Sequence, residues 1–178
     1  MTNEERDHVV QMLKSSASEY LSLIDVNESQ WHWKPAPERW SIGHTAEHIV
    51  QAEVVIFRRL QVAVQSPKNR DWEARTAGKD DLLRRVMLDR TQKATAPETT
   101  RPQGLCKEET VRRFSELRAE VITFAEETQI PLNEHTAEHP FPIFNTLNAY
   151  QWLLLVPLHH MRHHLQIGEI KASPGYPK

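Results

Sequence analysis

The chain has 178 residues, of which 39% are hydrophobic, so it is long enough for one core and too apolar for a disordered polypeptide. The formal net charge is -2 and no basic block occurs, which argues against a nucleic-acid partner. The single cysteine, Cys106, excludes an internal disulfide framework. The amino terminus is polar and acidic, unlike a signal peptide, and the longest apolar run is too short to cross a bilayer. We therefore expect a cytoplasmic protein with no membrane partner.

Four segments have the spacing of apolar residues that is typical of amphipathic helices. The first follows a capping box that starts at Thr2, and the second follows Ser41, a good N-cap residue. None of the four has the alternation of a strand, so the sequence predicts an all-α, up-and-down four-helix bundle. The last three helices are predicted at about residues 41–65, 108–128 and 145–172.

A long crossover connection, roughly residues 66–107, joins the second and third predicted helices. Residues 80–88 within it are predicted to form a short extra helix. A connection of this length allows the third helix to cross the bundle rather than lie beside the second. A proline-rich loop, residues 131–142, leads into the fourth helix. No repeat or boundary is visible, so residues 1–178 are predicted to form a single domain.

Pro157 lies inside the fourth predicted helix, where proline removes a backbone donor and collides with the preceding turn. We expect a kink just before His159. Alternatively, the helix restarts there with Pro157 in its first turn. Either geometry keeps His159 and His163 on one continuous helical turn.

Ten histidines are many for a chain of this length, and most of them lie on the second and fourth predicted helices. Residues four apart on a helix stack on one face, and buried imidazoles need partners for their ring nitrogens. A shared metal ion is the simplest such partner, and a set of hydrogen-bonded core histidines is the alternative. Three protein nitrogens with one open position describe a catalytic zinc-type site. Nickel, iron, manganese and copper also accept imidazole, so spacing does not select the metal.

The apolar stripes indicate which histidines face the core. The stripe of His159 stays apolar or amide to its end, so we favour His159 and His163 over the neighbouring pair. On the second helix, His48 lies well inside the apolar stripe and completes the favoured set. The alternatives that stay open are His44, His160 and His164. The remaining histidines are predicted to be ordinary surface or loop residues: His8, His32, His135 and His139.

Three tryptophans, Trp31, Trp33 and Trp40, are interleaved with two prolines just before the second helix. This aromatic group is predicted to pack over one end of the bundle. The alternative is that it forms one wall of a pocket.

Three motifs stand out along the chain: Trp40-Ser41 with His48 seven residues later, His139-Pro-Phe-Pro-Ile-Phe-Asn-Thr-Leu147, and Trp152-Leu-Leu followed by His159-x-x-Arg162-His163-x-x-Gln166-Ile167. Through these motifs, the chain resembles the DinB-like superfamily of metal-binding four-helix proteins over nearly its whole length. In that family, one histidine of the second helix and an i, i+4 pair of the fourth bind a divalent metal, which implies His48, His159 and His163 here. The chain departs from the family pattern at Asn145, where glycine is frequent, and at Pro157.

The resemblance implies a metal-dependent enzyme of thiol S-transferase or hydrolase type that acts on a small electrophile. The expected cofactor is zinc or nickel first, and iron or manganese next. The expected partners are a small-molecule substrate, a low-molecular-weight thiol among the candidates, and a second copy of the chain in a homodimer. The alternative is a non-catalytic, metal-stabilised binding module, and haem between facing histidines is a weaker one.

Residues beyond the ligands are also given roles at the sequence level. Gln166, one turn after His163, is predicted to orient a ligand imidazole. Glu47 and Glu53 are candidate general bases, although Glu47 is expected to face solvent.

Overall fold

The computed structural model describes residues 1–91 and 95–178 of the chain. Within these ranges, no helix combines the length and the apolar character that a membrane span needs. Two short 3-10 helices lie at Glu98–Thr100 and Leu132–Glu134. The regular elements are α1 (Asn3–Ile24), α2 (Glu28–His32), α3 (Ile42–Gln65), α4 (Trp72–Thr76), α5 (Lys79–Leu88), α6 (Lys107–Glu127), β1 (Thr136–Glu138), β2 (Thr146–Asn148) and α7 (Ala149–Lys171).

Helices α1, α3, α6 and α7 form a four-helix bundle. Helix α7 packs between α1 and α3, and α6 packs between the same two helices on the other side. The apolar stripes of all four helices meet in the centre, where side chains such as Leu13, Leu60, Val121 and Leu154 are fully buried. The predicted all-α bundle with a long crossover that carries a short extra helix is confirmed.

The crossover determines the direction of α6. Glu47, near the start of α3, contacts Leu105 just before α6 begins, and Phe57 contacts Phe124 farther along both helices. Helices α3 and α6 therefore run parallel, since the crossover returns the chain to the end at which α3 begins. The directions of the four long helices are up, down, down and up.

The predicted helix starts are confirmed at both N-caps. Thr2 forms a capping box with Glu5, and the Ser41 side chain accepts a hydrogen bond from the His44 amide. Helix α5 begins at Lys79, one residue before the predicted extra helix. Helices α2 and α4 were not predicted, because five residues are too few to show a helical period.

Helix α7 begins later than the sequence suggested, because residues 146–148 pair with residues 136–138 in an antiparallel hairpin. Asn145 precedes β2 and has a φ of 52°, in the left-handed region that asparagine tolerates better than most residues. Glycine would also adopt this backbone conformation without strain. Lys79 secures the hairpin loop by donating a hydrogen bond to the Phe144 carbonyl oxygen at 2.6 Å.

Helix α7 runs without a break through Pro157, so the alternative in which the helix restarts there is wrong. Asn148 caps the helix, and its side chain accepts a hydrogen bond from the Gln151 amide. His159 and His163 consequently lie on one continuous helix, as both readings of Pro157 required.

The start of α3 packs tightly on α2. A Cβ atom added to Gly43 would lie 2.5 Å from the indole nitrogen of Trp31, which is fully buried. We expect Gly43→Ala to lower the free energy of unfolding by about 1–3 kcal/mol, because overpacking outweighs the better helix propensity of alanine.

Gly168→Ala in α7 is the matched control, since nothing lies within 4 Å of its added Cβ. This substitution should raise the free energy of unfolding by about 0.5–1 kcal/mol. Urea denaturation of both variants measures the difference, and equal effects would contradict the close contact between Gly43 and Trp31.

Candidate metal centre

Helices α3 and α7 bring the three favoured histidines together. One ligand atom from each of His48, His159 and His163 lies within 4.8 Å of the others. The ring centroids of His48 are 5.3 Å from His159 and 4.7 Å from His163. The two histidines of α7 are one turn apart, with 3.2 Å between their Nε2 atoms. These distances suit three imidazoles around one ion.

Hydrogen bonds to the far side of two rings determine their tautomers. The Nδ1 atom of His48 is 2.7 Å from the Thr100 carbonyl oxygen, which only accepts hydrogen bonds. The Nδ1 atom of His163 is 2.8 Å from Oε1 of Gln166, which is the contact that the sequence suggested for Gln166. Both Nδ1 atoms therefore carry the proton, and both Nε2 atoms present a lone pair to the cluster. Partners of this kind orient metal-binding histidines in general.

His159 shows that the protein groups alone do not satisfy the cluster. Its Nδ1 atom is buried and has no hydrogen-bond partner among the described residues. Its Nε2 atom faces the Nε2 atom of His163, and at 3.2 Å the two atoms share one proton at most. A divalent cation accepts lone pairs from all the Nε2 atoms at once, so the donor set fits a metal ion.

Burial keeps the three rings neutral. It lowers the pKa of His48, and it lowers the pKa of His159 and of His163 well below the usual value, with the neighbouring rings adding to the shift in α7. Neutral imidazole is the form that binds a metal ion. The cluster is therefore ready to bind a cation without first losing protons at neutral pH.

The other histidines of the two helices have different partners. The Nε2 atom of His160 is 2.7 Å from Oε2 of Glu53, and Nδ1 of His164 is 3.2 Å from Oε2 of Glu19. His44 contacts the Ser41 hydroxyl next to it on the helix. None of these three rings belongs to the cluster of possible metal ligands among the described residues.

The four histidines predicted to be ordinary surface or loop residues differ in burial. His8 and His32 are exposed, as expected. His135 is buried in its loop, with Nδ1 2.7 Å from the Ser66 carbonyl oxygen. His139 stacks on Trp152, and burial lowers its pKa to about 4. Both loop histidines therefore pack against the bundle instead of facing solvent.

Neither proposed general base is available to the cluster. Glu47 is only 1% exposed and accepts hydrogen bonds from the Gln103 and Gly104 amides, so the expectation that it faces solvent is wrong. Glu53 is fixed by a bidentate ion pair with Arg118 and by His160. Burial alone would raise the pKa of Glu53, but His160 and Arg118 lower it to about 2. The Glu53 carboxylate therefore belongs to the buried, hydrogen-bonded contacts between the helices.

The three imidazoles form part of the wall of an open cavity of about 660 Å³. Trp40 forms another part and packs on His48, with 4.9 Å between the ring centroids. This contact favours the interpretation of Trp40 as a pocket wall, whereas Trp31 packs in the core. Phe141 and Ile143, from the loop between β1 and β2, are exposed apolar residues of the same cavity. The part of the cavity wall beside the histidines is therefore largely apolar.

The crossover closes one side of this cavity. Arg162 of α7 donates hydrogen bonds to the carbonyl oxygens of Met87 and Asp89, at and just after the end of α5. Arg90 forms a bidentate ion pair with Glu169 of α7. These contacts hold the crossover against the helix that carries two of the clustered histidines. No local pattern in the sequence pointed to them.

An all-α bundle with three neutral imidazoles at a cavity wall defines a helical protein with a candidate three-histidine metal site. The DinB superfamily matches residues 12–167, and the chain belongs to this family. It is 25% identical over 154 residues to YuaE of Bacillus subtilis (strain 168), which covers 85% of this chain and 89% of YuaE.

The fold is also similar to that of YfiT from Bacillus subtilis, described as a probable metal-dependent hydrolase with an unusual four-helix bundle topology. The TM-score is 0.67, and the match covers 99% of this chain and 91% of YfiT. The sequences are 11% identical, so this similarity establishes the fold.

The ion pair between Glu53 and Arg118 is buried, and Arg118→Met would leave the Glu53 carboxylate without its cationic partner. We expect this substitution to lower the free energy of unfolding by about 3–5 kcal/mol. Arg112→Met, on the same helix, is the control, because the ion pairs of Arg112 are exposed and contribute little. Chemical denaturation of both variants tests the difference. Similar stabilities would argue against a buried ion pair.

Proposed function

We propose that this protein is a metal-dependent enzyme that binds one divalent cation through His48, His159 and His163. The observation that carries the proposal is the common direction of three imidazoles whose lone pairs meet at the wall of a cavity. Zinc and nickel suit imidazole ligands and are the first candidates, followed by iron and manganese.

Three protein ligands leave coordination positions for other molecules, which is typical of catalytic sites. A divalent metal supplies Lewis-acid chemistry, because it lowers the pKa of a water or thiol bound to it. The chain itself orients the ligand rings through Thr100 and Gln166, and lines the space beside them with apolar groups. Trp40 and Phe141 would pack on the apolar part of a small electrophile and exclude water around it.

The residues of the cavity favour a thiol as the nucleophile. Among the described residues that line it, the only carboxylate is that of Glu38, an exposed residue. A water nucleophile usually benefits from a positioned general base, whereas a thiol ionises more readily. Cys106 is exposed and does not line the cavity, so the sulfur would come from a low-molecular-weight thiol cosubstrate. This chemistry is that of a thiol S-transferase.

Hydrolysis is the second candidate. It is supported by the similarity of the fold to YfiT, which is described as a probable metal-dependent hydrolase. In that reaction water would replace the thiol in the same cavity, and the apolar walls would bind the same kind of electrophile.

The metal site predicts about one divalent cation per chain in protein that has been loaded with zinc and freed of excess metal. We expect His163→Ala to reduce the bound metal to near zero, because two imidazoles hold zinc much less tightly than three. His44→Ala is the control, since His44 lies one turn before His48, contacts the Ser41 hydroxyl and is not among the clustered histidines of the described residues. Elemental analysis gives the metal content. Full occupancy of the His163→Ala variant would exclude this ligand set.

The two reaction types differ in their requirement for a thiol. We expect the zinc-loaded protein to accelerate the reaction of a low-molecular-weight thiol with a chromogenic aryl halide at least about tenfold over the uncatalysed reaction. His163→Ala should lose this activity. Turnover of a chromogenic ester without any thiol would instead support the hydrolase. No turnover of either substrate, together with a large loss of thermal stability in chelator, would support the non-catalytic binding module.

A further inference from the structure

A segment of the crossover, residues 97–105, lies over the start of α3, and we refer to it as the strap. Its first residue, Pro97, lines the cavity, and Thr100 is almost fully buried. Within the part of the chain that the structure describes, every hydrogen bond from the strap to another segment ends on Glu47 or His48. Two consecutive residues of α3 therefore form all of these hydrogen bonds with the strap.

Glu47 holds the strap at its second half. Its Oε1 atom accepts a hydrogen bond from the Gln103 amide at 2.7 Å. Its Oε2 atom accepts hydrogen bonds from the Gly104 amide at 2.8 Å and the Leu105 amide at 3.1 Å. Successive backbone N–H groups that converge in this way form an anion-binding concavity. Gly104 has a φ of 90°, which lets the backbone turn its amides toward the carboxylate.

The first half of the strap holds a candidate metal ligand. The Thr100 carbonyl oxygen accepts the Nδ1–H of His48 at 2.7 Å, and this contact fixes the tautomer and the ring plane of His48. Only two residues separate Thr100 from Gln103, so the position of this carbonyl depends on how the amides after it are held. The Glu47 carboxylate thus acts on His48 through the strap.

We propose that Glu47 is a positioning residue for the metal site: its carboxylate holds the strap, and the strap holds His48 in the tautomer and orientation that bind the cation. The inference rests on the proposed metal site at His48, His159 and His163. It gives a role to a buried carboxylate that does not line the cavity and so cannot act on a substrate there. It also assigns the crossover a part in metal binding.

The test measures the zinc dissociation constant by competition with a chromophoric chelator. We expect Glu47→Ala to raise it about 10–100-fold, the usual effect of removing a group that orients a metal ligand. Glu47→Gln keeps one accepting oxygen and should have a smaller effect. Affinity within about twofold of the original protein in both variants would overturn the proposal, whereas absence of zinc binding in the original protein would refute the metal site itself.

Arg6→Gln is the matched control for loss of stability. The Arg6 guanidinium donates hydrogen bonds to the carbonyl oxygens of Ala125, Glu126 and Thr128, so it holds the far end of α6 as Glu47 holds the strap. This variant should lose thermal stability and keep the zinc dissociation constant of the original protein. If Arg6→Gln weakens zinc binding as much as Glu47→Ala does, the effect of Glu47 is general destabilisation and the proposal fails.

A second measurement needs no substitution. Because linkage between two sites is reciprocal, a cation that fixes His48 should also fix the strap. We expect zinc to slow hydrogen exchange of the Gly104 and Leu105 amides at least about fivefold. Equal exchange rates with and without bound zinc would contradict the coupling. In the Glu47→Ala variant these two amides should exchange quickly in both states.

Discussion

A buried imidazole has two ring nitrogens, and each of them needs a partner once water is excluded. Helix α7 carries four histidines in six residues, so it places eight such nitrogens at the centre of the bundle or close to it. The partners divide the four rings into two pairs. His160 and His164 contact the carboxylates of Glu53 and Glu19, whereas His159 and His163 turn toward α3 and the cavity.

The first pair serves the packing of the bundle. Glu53, Arg118 and His160 join α3, α6 and α7 in one buried, hydrogen-bonded group. Removing one charged member of such a group leaves a buried charge without its partner and strongly destabilises the fold. The group therefore favours one alignment of the three helices along one another. That alignment places His48 one turn and a half before Glu53, next to the second pair of α7.

The chain direction has a consequence for the site. Since the crossover runs back along the bundle before α6 begins, its helix α5 packs on α7 and its later part passes the start of α3. It therefore contributes backbone atoms to the site, through Thr100, and side chains to the cavity wall, through Met87 and Pro97. A short loop between α3 and α6 would leave His48 without its hydrogen-bond acceptor and the cavity without one wall.

The bundle and the three clustered histidines were predictable because both depend on local periodicity. Apolar residues three and four apart mark the helices, and His159 and His163 are one turn apart on any helix. The roles of Glu47 and Glu53 were not predictable, because their partners are 56 and 65 residues away in the sequence. The hairpin was missed for a related reason: three-residue strands show too little alternation beside a proline-rich loop. The homodimer and the cytoplasmic location stay predictions of the sequence.

X-ray absorption spectroscopy at the zinc edge tests the central claim most directly, because it reports the atoms around the ion in protein loaded with one equivalent of zinc. The account predicts about three imidazole nitrogens at roughly 2.0–2.1 Å. The remaining coordination should come from an exchangeable oxygen ligand, which a small thiol replaces with sulfur. A shell with one imidazole or none, or one dominated by carboxylate oxygens, would contradict it.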